Sequence, residues 1–231
     1  MCNLFSNTLP PDAMRSLFDV APADDRLGNL QPLTAIYPRH EAPVVLVDGG
    51  RRVSRPMHWG FLMPQVSKRT GQPILPKAIN NARDDKLASS PFWAESFRLR
   101  RCLIPATAFC EPRGQKPATH VWFGLHGAAP RQPFAFAGLW RRFRGRYREA
   151  EPVEIDTVTM VTTTPNALVA TAHPDRMPAI LPPEHWAPWL DGPSEAAMRL
   201  IAPYPAAAMC VLHEGIDDRS DAVALDPSHP G

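Results

Sequence analysis

Cys2, directly after the initiator methionine, is the residue with the clearest chemical potential in this sequence. We expect removal of Met1 to leave an α-amine and a thiol on one residue, with ordinary pKa values of about 7.7–8.0 and about 8.5. Both groups are then nucleophilic near neutral pH. The thiol alone suits attack on a carbonyl, as in N-terminal-nucleophile hydrolases, whereas amine and thiol together suit capture of an aldehyde as a thiazolidine. An incidental second residue without a chemical role is the alternative.

Three further segments carry side chains that suit a binding or catalytic site. In Asn80–Asp85, amides stand beside Arg83, which suits a sugar hydroxyl next to a phosphate, with a polar turn as the alternative. Glu111 follows an apolar stretch and can transfer protons if burial raises its pKa, whereas an exposed Glu would not. In His173–Pro178, a histidine suited to proton transfer near pH 7 is confined by two prolines, with a rigid surface turn as the alternative.

The elements that position these residues are predicted to be mostly short strands. Residues 64–86 are polar and rich in proline, and are predicted to be a long loop. The pattern favours an α+β single domain with a curled, mostly antiparallel, barrel-like sheet and peripheral short helices, rather than a doubly wound parallel sheet. Strands are predicted at 44–47, 52–59, 103–109, 121–125, 134–140, 154–163 and 209–212, and helices at 11–18, after Ser90–Pro91, at 183–190 and at 194–201.

Composition and charge narrow the function classes. The 231 residues carry a formal net charge of +2, yet 21 of the 25 basic residues are arginine. Arginine favours bidentate contact with phosphate, and it also rises with genomic GC content. The four cysteines form no Cys-x-x-Cys pair and no His pair has zinc-finger spacing, so neither a metal nor another cofactor is expected. No membrane-length apolar run or signal peptide is evident, which predicts a soluble cytoplasmic protein.

Five features occur in an order that resembles the SRAP (SOS response-associated peptidase) family of abasic-site processing proteins. The resemblance covers residues 1–213, with residues 214–231 predicted to be a disordered tail. It implies a single α+β domain with a basic cleft for single-stranded DNA, in which the ring-opened aldehyde of an abasic site is captured covalently. The features are Cys2, Trp59-Gly60, Asn81-Ala82-Arg83, Phe109-Cys110-Glu111 and Arg176-Met177-Pro178.

The resemblance implies four catalytic positions. Cys2 would supply amine and thiol, and Asn81 would hold the amine or a sugar hydroxyl. Glu111 and His173 would move protons while the sugar opens, the imine forms and the ring closes. The same resemblance implies autoproteolytic and lyase activities beside the crosslinking reaction.

A second set of positions is implied to contact DNA. Arg83 would hold a flanking phosphate, and Trp59, Gly60 and Arg176 belong to the matching motifs. Trp59 suits stacking on a base or wedging beside one, with a core position as the alternative. Further charge is available from arginines whose alternative role is a solvated hairpin face, namely Arg98, Arg100, Arg101, Arg142, Arg144, Arg146 and Arg148.

The chain departs from the common family pattern near the predicted site. Asn3 and Leu4 replace a usual Gly-Arg, Pro112 replaces a Trp after the Glu, and Pro174 is inserted after the His. The favoured expectation is a monomer that crosslinks to abasic sites in single-stranded DNA in the cytoplasm, associated with the nucleoid when bound. Two alternatives remain, an N-terminal-nucleophile cysteine amidohydrolase and a non-catalytic single-stranded DNA-binding module.

Overall fold

Strands are the most abundant regular element of the computed structural model, which describes residues 2–129, 131–148, 151–216 and 218–221. The strands are β1 Phe5–Asn7, β2 Leu33–Ile36, β3 Glu41–Asp48, β4 Arg51–Trp59, β5 Phe61–Val66, β6 Pro73–Ile79, β7 Asn81–Arg83, β8 Arg101–Ala106, β9 Ala108–Arg113, β10 Thr119–Leu125, β11 Phe134–Arg146, β12 Pro152–Thr163, β13 Met177–Pro178, β14 Ile180–Leu181 and β15 Met209–Gly215. The helices are α1 Pro11–Phe18, α2 Ala94–Leu99, α3 Trp186–Asp191 and α4 Ser194–Arg199.

Five strands close into a barrel in the order β12-β4-β3-β8-β11, because β11 pairs again with β12. The β12–β4 pair is parallel and the other pairs of the ring are antiparallel. The short strand β7 adds to β12 in parallel. A second sheet, in the order β15-β10-β9-β1-β2, is antiparallel throughout. The predicted α+β class with a curled, mostly antiparallel sheet is confirmed.

Alternate residues of the barrel strands build two apolar cores. The inner faces and the second sheet share one core, in which Phe5 of β1 meets Trp59 edge-on at 4.9 Å and Phe136 at 5.8 Å between ring centroids. The outer faces are covered by helices, where Phe18 of α1 stacks on Trp186 of α3 at 4.5 Å. The inner core therefore fixes β1, the strand that follows Cys2.

Several predicted elements are confirmed. Helix α1 has its predicted bounds, with Pro11 in its first turn and Met14 and Phe18 buried on one face. The turn between β3 and β4 falls at Gly49 and Gly50, whose φ angles of 58° and 77° suit glycine. The predicted strand 103–109 is instead two strands, β8 and β9, so Glu111 lies within a strand rather than after one.

The predicted loop over residues 64–86 is wrong. Strands β5 and β6 form a separate two-stranded sheet, and β7 follows directly. Proline and glycine gave the misleading signal, since proline is tolerated in strands that do not need its missing N–H. Within the described ranges, no helix has the length and apolar character that crossing a membrane requires.

The predicted disordered tail begins too early. Residues 214–215 belong to β15, and the fully buried Asp221 accepts hydrogen bonds from Ser6 at 2.8 Å, Arg131 Nη2 at 3.0 Å and His213 Nε2 at 3.1 Å. These charge-assisted bonds offset the desolvation of the carboxylate and tie the segment to β1. Residues 222–231 of the predicted tail lie outside the described residues.

Replacing Asp221 by Asn is expected to destabilise the protein. The neutral amide replaces the carboxylate that accepts charge-assisted hydrogen bonds from Arg131 and His213, and Asp221 is fully buried. The free energy of unfolding is expected to fall by about 3 kcal/mol, measured by urea unfolding. In the control Glu214→Gln, which breaks the half-exposed pair with Arg113, the loss is expected to stay below about 1 kcal/mol. Equal effects of both substitutions would contradict a buried tether.

Candidate functional site

Cys2 lies at the amino end of β1, against the partner strand β9. The β1–β9 register pairs Phe5 with Phe109, and the Cys110 N–H donates to the Leu4 carbonyl at 2.9 Å. The Cys2 side chain is fully buried, and its Sγ donates to the Leu4 carbonyl at 3.4 Å. This antiparallel course brings Cys2 into the neighbourhood of Glu111.

Two side-chain amides hold the Cys2 backbone. The Cys2 carbonyl accepts hydrogen bonds from Asn81 Nδ2 at 2.8 Å and from Asn80 Nδ2 at 3.1 Å. Asn80 Nδ2 also lies 2.8 Å from Asn3 Oδ1. Parallel pairing of β7 with β12 fixes Asn81 opposite Met160. The sequence motif predicted a role for Asn81, whereas Asn80 was named only as part of the segment Asn80–Asp85 and was given no role of its own.

Glu111 supplies a buried carboxyl group next to the cysteine. Its side chain is fully buried in β9, and burial raises its pKa to about 7, with the positive charge of the amino terminus acting in the opposite direction. Burial, followed by the charge of Glu111, raises the pKa of the Cys2 thiol well above its ordinary value. The carboxyl group can therefore exchange a proton near neutrality, and the buried thiol stays protonated at that pH.

His173 is held as a neutral ring beyond the end of β12. Its Nδ1 accepts the backbone N–H of Arg176 at 3.2 Å, which assigns the proton of the neutral ring to Nε2. Partial burial, and then the positive charge of the amino terminus, lower its pKa.

Arg176 and Arg83 differ in their availability to a ligand. The Arg176 side chain is buried and contacts the Thr162 carbonyl and Asp84 Oδ1, the latter at 2.6 Å, so it fastens the segment after β7 to β12. Arg83 is about half exposed and makes a bidentate pair with Asp85 at 2.9 and 3.0 Å. A phosphate can reach Arg83 at this surface, whereas Arg176 acts as a structural support.

Trp59 and Gly60 lie inside the fold instead of on a DNA-contacting surface. Trp59 is fully buried, and its Nε1 donates to the Asn80 carbonyl at 3.0 Å. Trp59 therefore occupies the core, which was one of the two alternatives that the sequence left open. Its hydrogen bond also holds the backbone of Asn80 in place. Gly60 has a φ of 121°, and a Cβ there would lie 2.7 Å from the Cβ of Ala78, so close strand packing requires glycine.

Metal ligation has no support in the part of the chain that the structure describes, where no cluster of three or more His, Cys, Asp or Glu side chains could hold an ion. The contacts that the structure does describe join Cys2 to two side-chain amides and place it near a carboxyl group with a near-neutral pKa.

Fold and site together define a class of single-domain α+β barrel proteins in which a buried cysteine follows the initiator methionine. A comparison with known protein families identifies the family within this class. The chain belongs to the SOS response associated peptidase (SRAP) family, whose family model matches residues 1–213.

The chain is also similar to named relatives in sequence and to solved structures in fold. The chain is 28% identical over 183 residues to abasic site processing protein YoqW of Bacillus subtilis (strain 168), covering 78% of this chain and 77% of YoqW. It is 26% identical over 210 residues to YoaM of the same organism, which is also named an abasic site processing protein, covering 89% and 87%. In fold it is similar to a crystal structure from Bordetella bronchiseptica (24% identity, TM-score 0.69, covering 90% of this chain and 97% of that one). A Bacteroides thetaiotaomicron structure is similar as well (19%, TM-score 0.70, covering 94% and 93%).

Proposed function

We propose that this protein processes abasic sites in single-stranded DNA by forming a thiazolidine between Cys2 and the ring-opened sugar. Family membership and the names of the relatives support the substrate class. The observation that carries the chemistry is the double amide clamp on the Cys2 carbonyl. Asn81 Oδ1 is buried and has no hydrogen-bond partner among the described residues, so it offers an acceptor to a donor at this site.

The reaction requires that Met1 be removed, because the Cys2 nitrogen is otherwise an amide and not a nucleophile. The freed amine adds to the aldehyde carbon of the open sugar, and the carbinolamine loses water to give an imine. The Cys2 sulfur then adds to the imine carbon while the nitrogen takes a proton, which closes the five-membered ring. One water molecule leaves in total, and no oxidant or reductant is needed.

Two side chains have the protonation states that these steps need. Glu111 accepts the proton of the Cys2 ammonium and returns it to the departing hydroxyl, which its near-neutral pKa permits in both directions. His173, with its proton on Nε2, donates to the sugar oxygen as the ring opens. Asn81 orients the amine, and Arg83 holds a neighbouring phosphate. Lyase activity would follow from β-elimination at the imine before the ring closes.

Intact-mass spectrometry of the protein mixed with an abasic oligonucleotide tests this proposal. The expected product has the mass of the chain without Met1, plus the oligonucleotide, minus one water. The control oligonucleotide carries a reduced sugar without an aldehyde, and it should give no adduct. An adduct on a chain that retains Met1, or an equal yield with the reduced sugar, would contradict the proposed chemistry.

A further inference from the structure

We propose that the β5–β6 hairpin and the end of β11 form a second nucleic-acid contact, which binds the single-stranded DNA that flanks the lesion. This inference rests on the proposed function for the identity of the DNA and extends it to a surface away from Cys2. We call it the basic hairpin surface. It consists of the exposed side chains of Val66, Lys68, Arg69, Ile74, Leu75, Lys77, Arg146 and Arg148.

Exposed aliphatic side chains concentrate on this hairpin. Val66, Ile74 and Leu75 are 64%, 52% and 48% exposed, and they are half of the large apolar residues exposed to this extent in the described chain. The hairpin is a separate two-stranded sheet, so the other sheets do not cover its tip. Apolar side chains on such an arm suit the faces and edges of bases that are not paired.

Positive charge surrounds these apolar side chains, and no carboxylate among the described residues pairs with it. The sequence from Phe61 to Arg83 contains no acidic residue. A cavity of about 290 Å³ separates residues 73–76 of the hairpin from Arg146, Tyr147 and Arg148, and no carboxylate lines it. Within the described ranges, none of the basic side chains of this surface forms an ion pair with a carboxylate.

The neighbouring arginines of β11 show that this lack of pairing is local. Arg142 pairs with Asp156 at 2.8 Å, and Arg144 pairs with Glu154 at 2.8 Å. Beyond them, the guanidinium of Arg148 lies 5.3 Å from the ring centroid of Tyr147. Uncompensated cations beside aliphatic tips complement a phosphate backbone with exposed bases better than they complement a protein surface, which would bring its own carboxylates to an arginine cluster.

The distance to the site suits a continuous DNA strand. Strand β6 runs from the hairpin tip to Asn80 and Asn81, so Leu75 is separated from Asn81 by at most about 20 Å of extended chain. At about 3.4 Å per nucleotide in duplex-like stacking this corresponds to about six nucleotides, and to fewer in an extended strand. A lesion at Cys2 would therefore place one flank on the basic hairpin surface.

Binding of intact single-stranded DNA, measured by fluorescence anisotropy, tests this surface without the crosslinking reaction. The variant Arg146→Gln/Arg148→Gln is compared with Arg142→Gln/Arg144→Gln, which removes the same charge from the paired arginines. With a strand of about twenty nucleotides, we expect the first variant to raise Kd roughly tenfold or more at about 0.1 M salt and to lower the salt slope by about 1.4. We expect the control variant to change Kd less than about twofold, since its charges are already compensated.

A second variant, Ile74→Ser/Leu75→Ser, tests the apolar part of the surface. It is expected to weaken binding of the long strand severalfold. Unchanged affinity in both variants, equal losses in the control pair, or a change in oligomeric state without a change in DNA affinity would overturn the proposal. A wild-type protein that binds through this surface but forms no adduct would refute only the crosslinking chemistry.

Discussion

Replacing Cys2 by Ala is expected to abolish the covalent adduct with abasic DNA, with a yield on a denaturing gel at least about 100-fold below that of the wild type. Alanine keeps an α-amine after Met1 is removed, so an imine can still form. Without the sulfur the five-membered ring cannot close, and the reversible imine hydrolyses during denaturation. Binding of undamaged DNA should be preserved, because the positions that hold phosphate are unchanged.

The matched control for this result is Cys210→Ala, which removes a half-buried thiol far from β1 in sequence. Its adduct yield should equal that of the wild type. Trapping the imine with a reducing agent adds a second control, since the Cys2→Ala protein should then become linked to DNA through its amine. A stable adduct of Cys2→Ala without a reducing agent would refute the thiazolidine.

Replacing Glu111 by Gln is expected to slow adduct formation by about 100-fold and to change its pH dependence. In the active state, Glu111 and the Cys2 amine together carry one proton. The pKa of Glu111 is about 7, and that of an ordinary α-amine is about 7.7–8.0. The wild-type rate should therefore be highest between about pH 7 and about pH 8. It should decrease at lower pH, where Glu111 becomes protonated, and at higher pH, where the pair loses its shared proton. Gln cannot titrate, so the variant should keep only the rise with pH that follows the amine.

Stability provides an independent check on the same carboxyl group. A raised pKa in the folded state means that the ionised form is disfavoured, so the folded protein loses stability as pH rises towards 7. The stability of Glu111→Gln relative to the wild type should therefore increase over this range and then level off. The exposed Glu154→Gln variant should show neither this trend nor a slower reaction. A pH–rate profile with the same limbs in Glu111→Gln would remove Glu111 from the proton transfers.

Local sequence signals predicted much of the site, because its residues occur in short motifs. Asn81 and Arg83 stand in one triplet, and Glu111 follows an apolar stretch that does form a buried strand. Asn80 was named as part of the segment Asn80–Asp85, but its contact with Cys2 was not predicted, because that contact joins residues 78 positions apart. Pairings of this kind are set by sheet topology, which periodicity along the chain does not encode.

The prediction and the structure also differ at residues whose type has two common roles in proteins. A tryptophan serves equally as a core residue or a stacking platform, and the closed barrel places Trp59 in the core. An arginine in a short motif suits either a phosphate or a carboxylate of the protein itself, and Arg176 pairs with the partly exposed carboxylate of Asp84. The β5–β6 hairpin was hidden by prolines that a two-stranded edge sheet accommodates.

The tether between Ser6 and Asp221 has a consequence for how the protein is made. A ribosome releases β1 early, yet its strand partner β9 and the carboxylate that fixes Ser6 emerge more than 100 and more than 200 residues later. A nascent chain thus carries its cysteine in an unfinished setting until translation is nearly complete. If Met1 is removed as the proposed function requires, the enzyme that removes it would meet an open amino terminus during this interval, before Cys2 becomes buried in the finished domain.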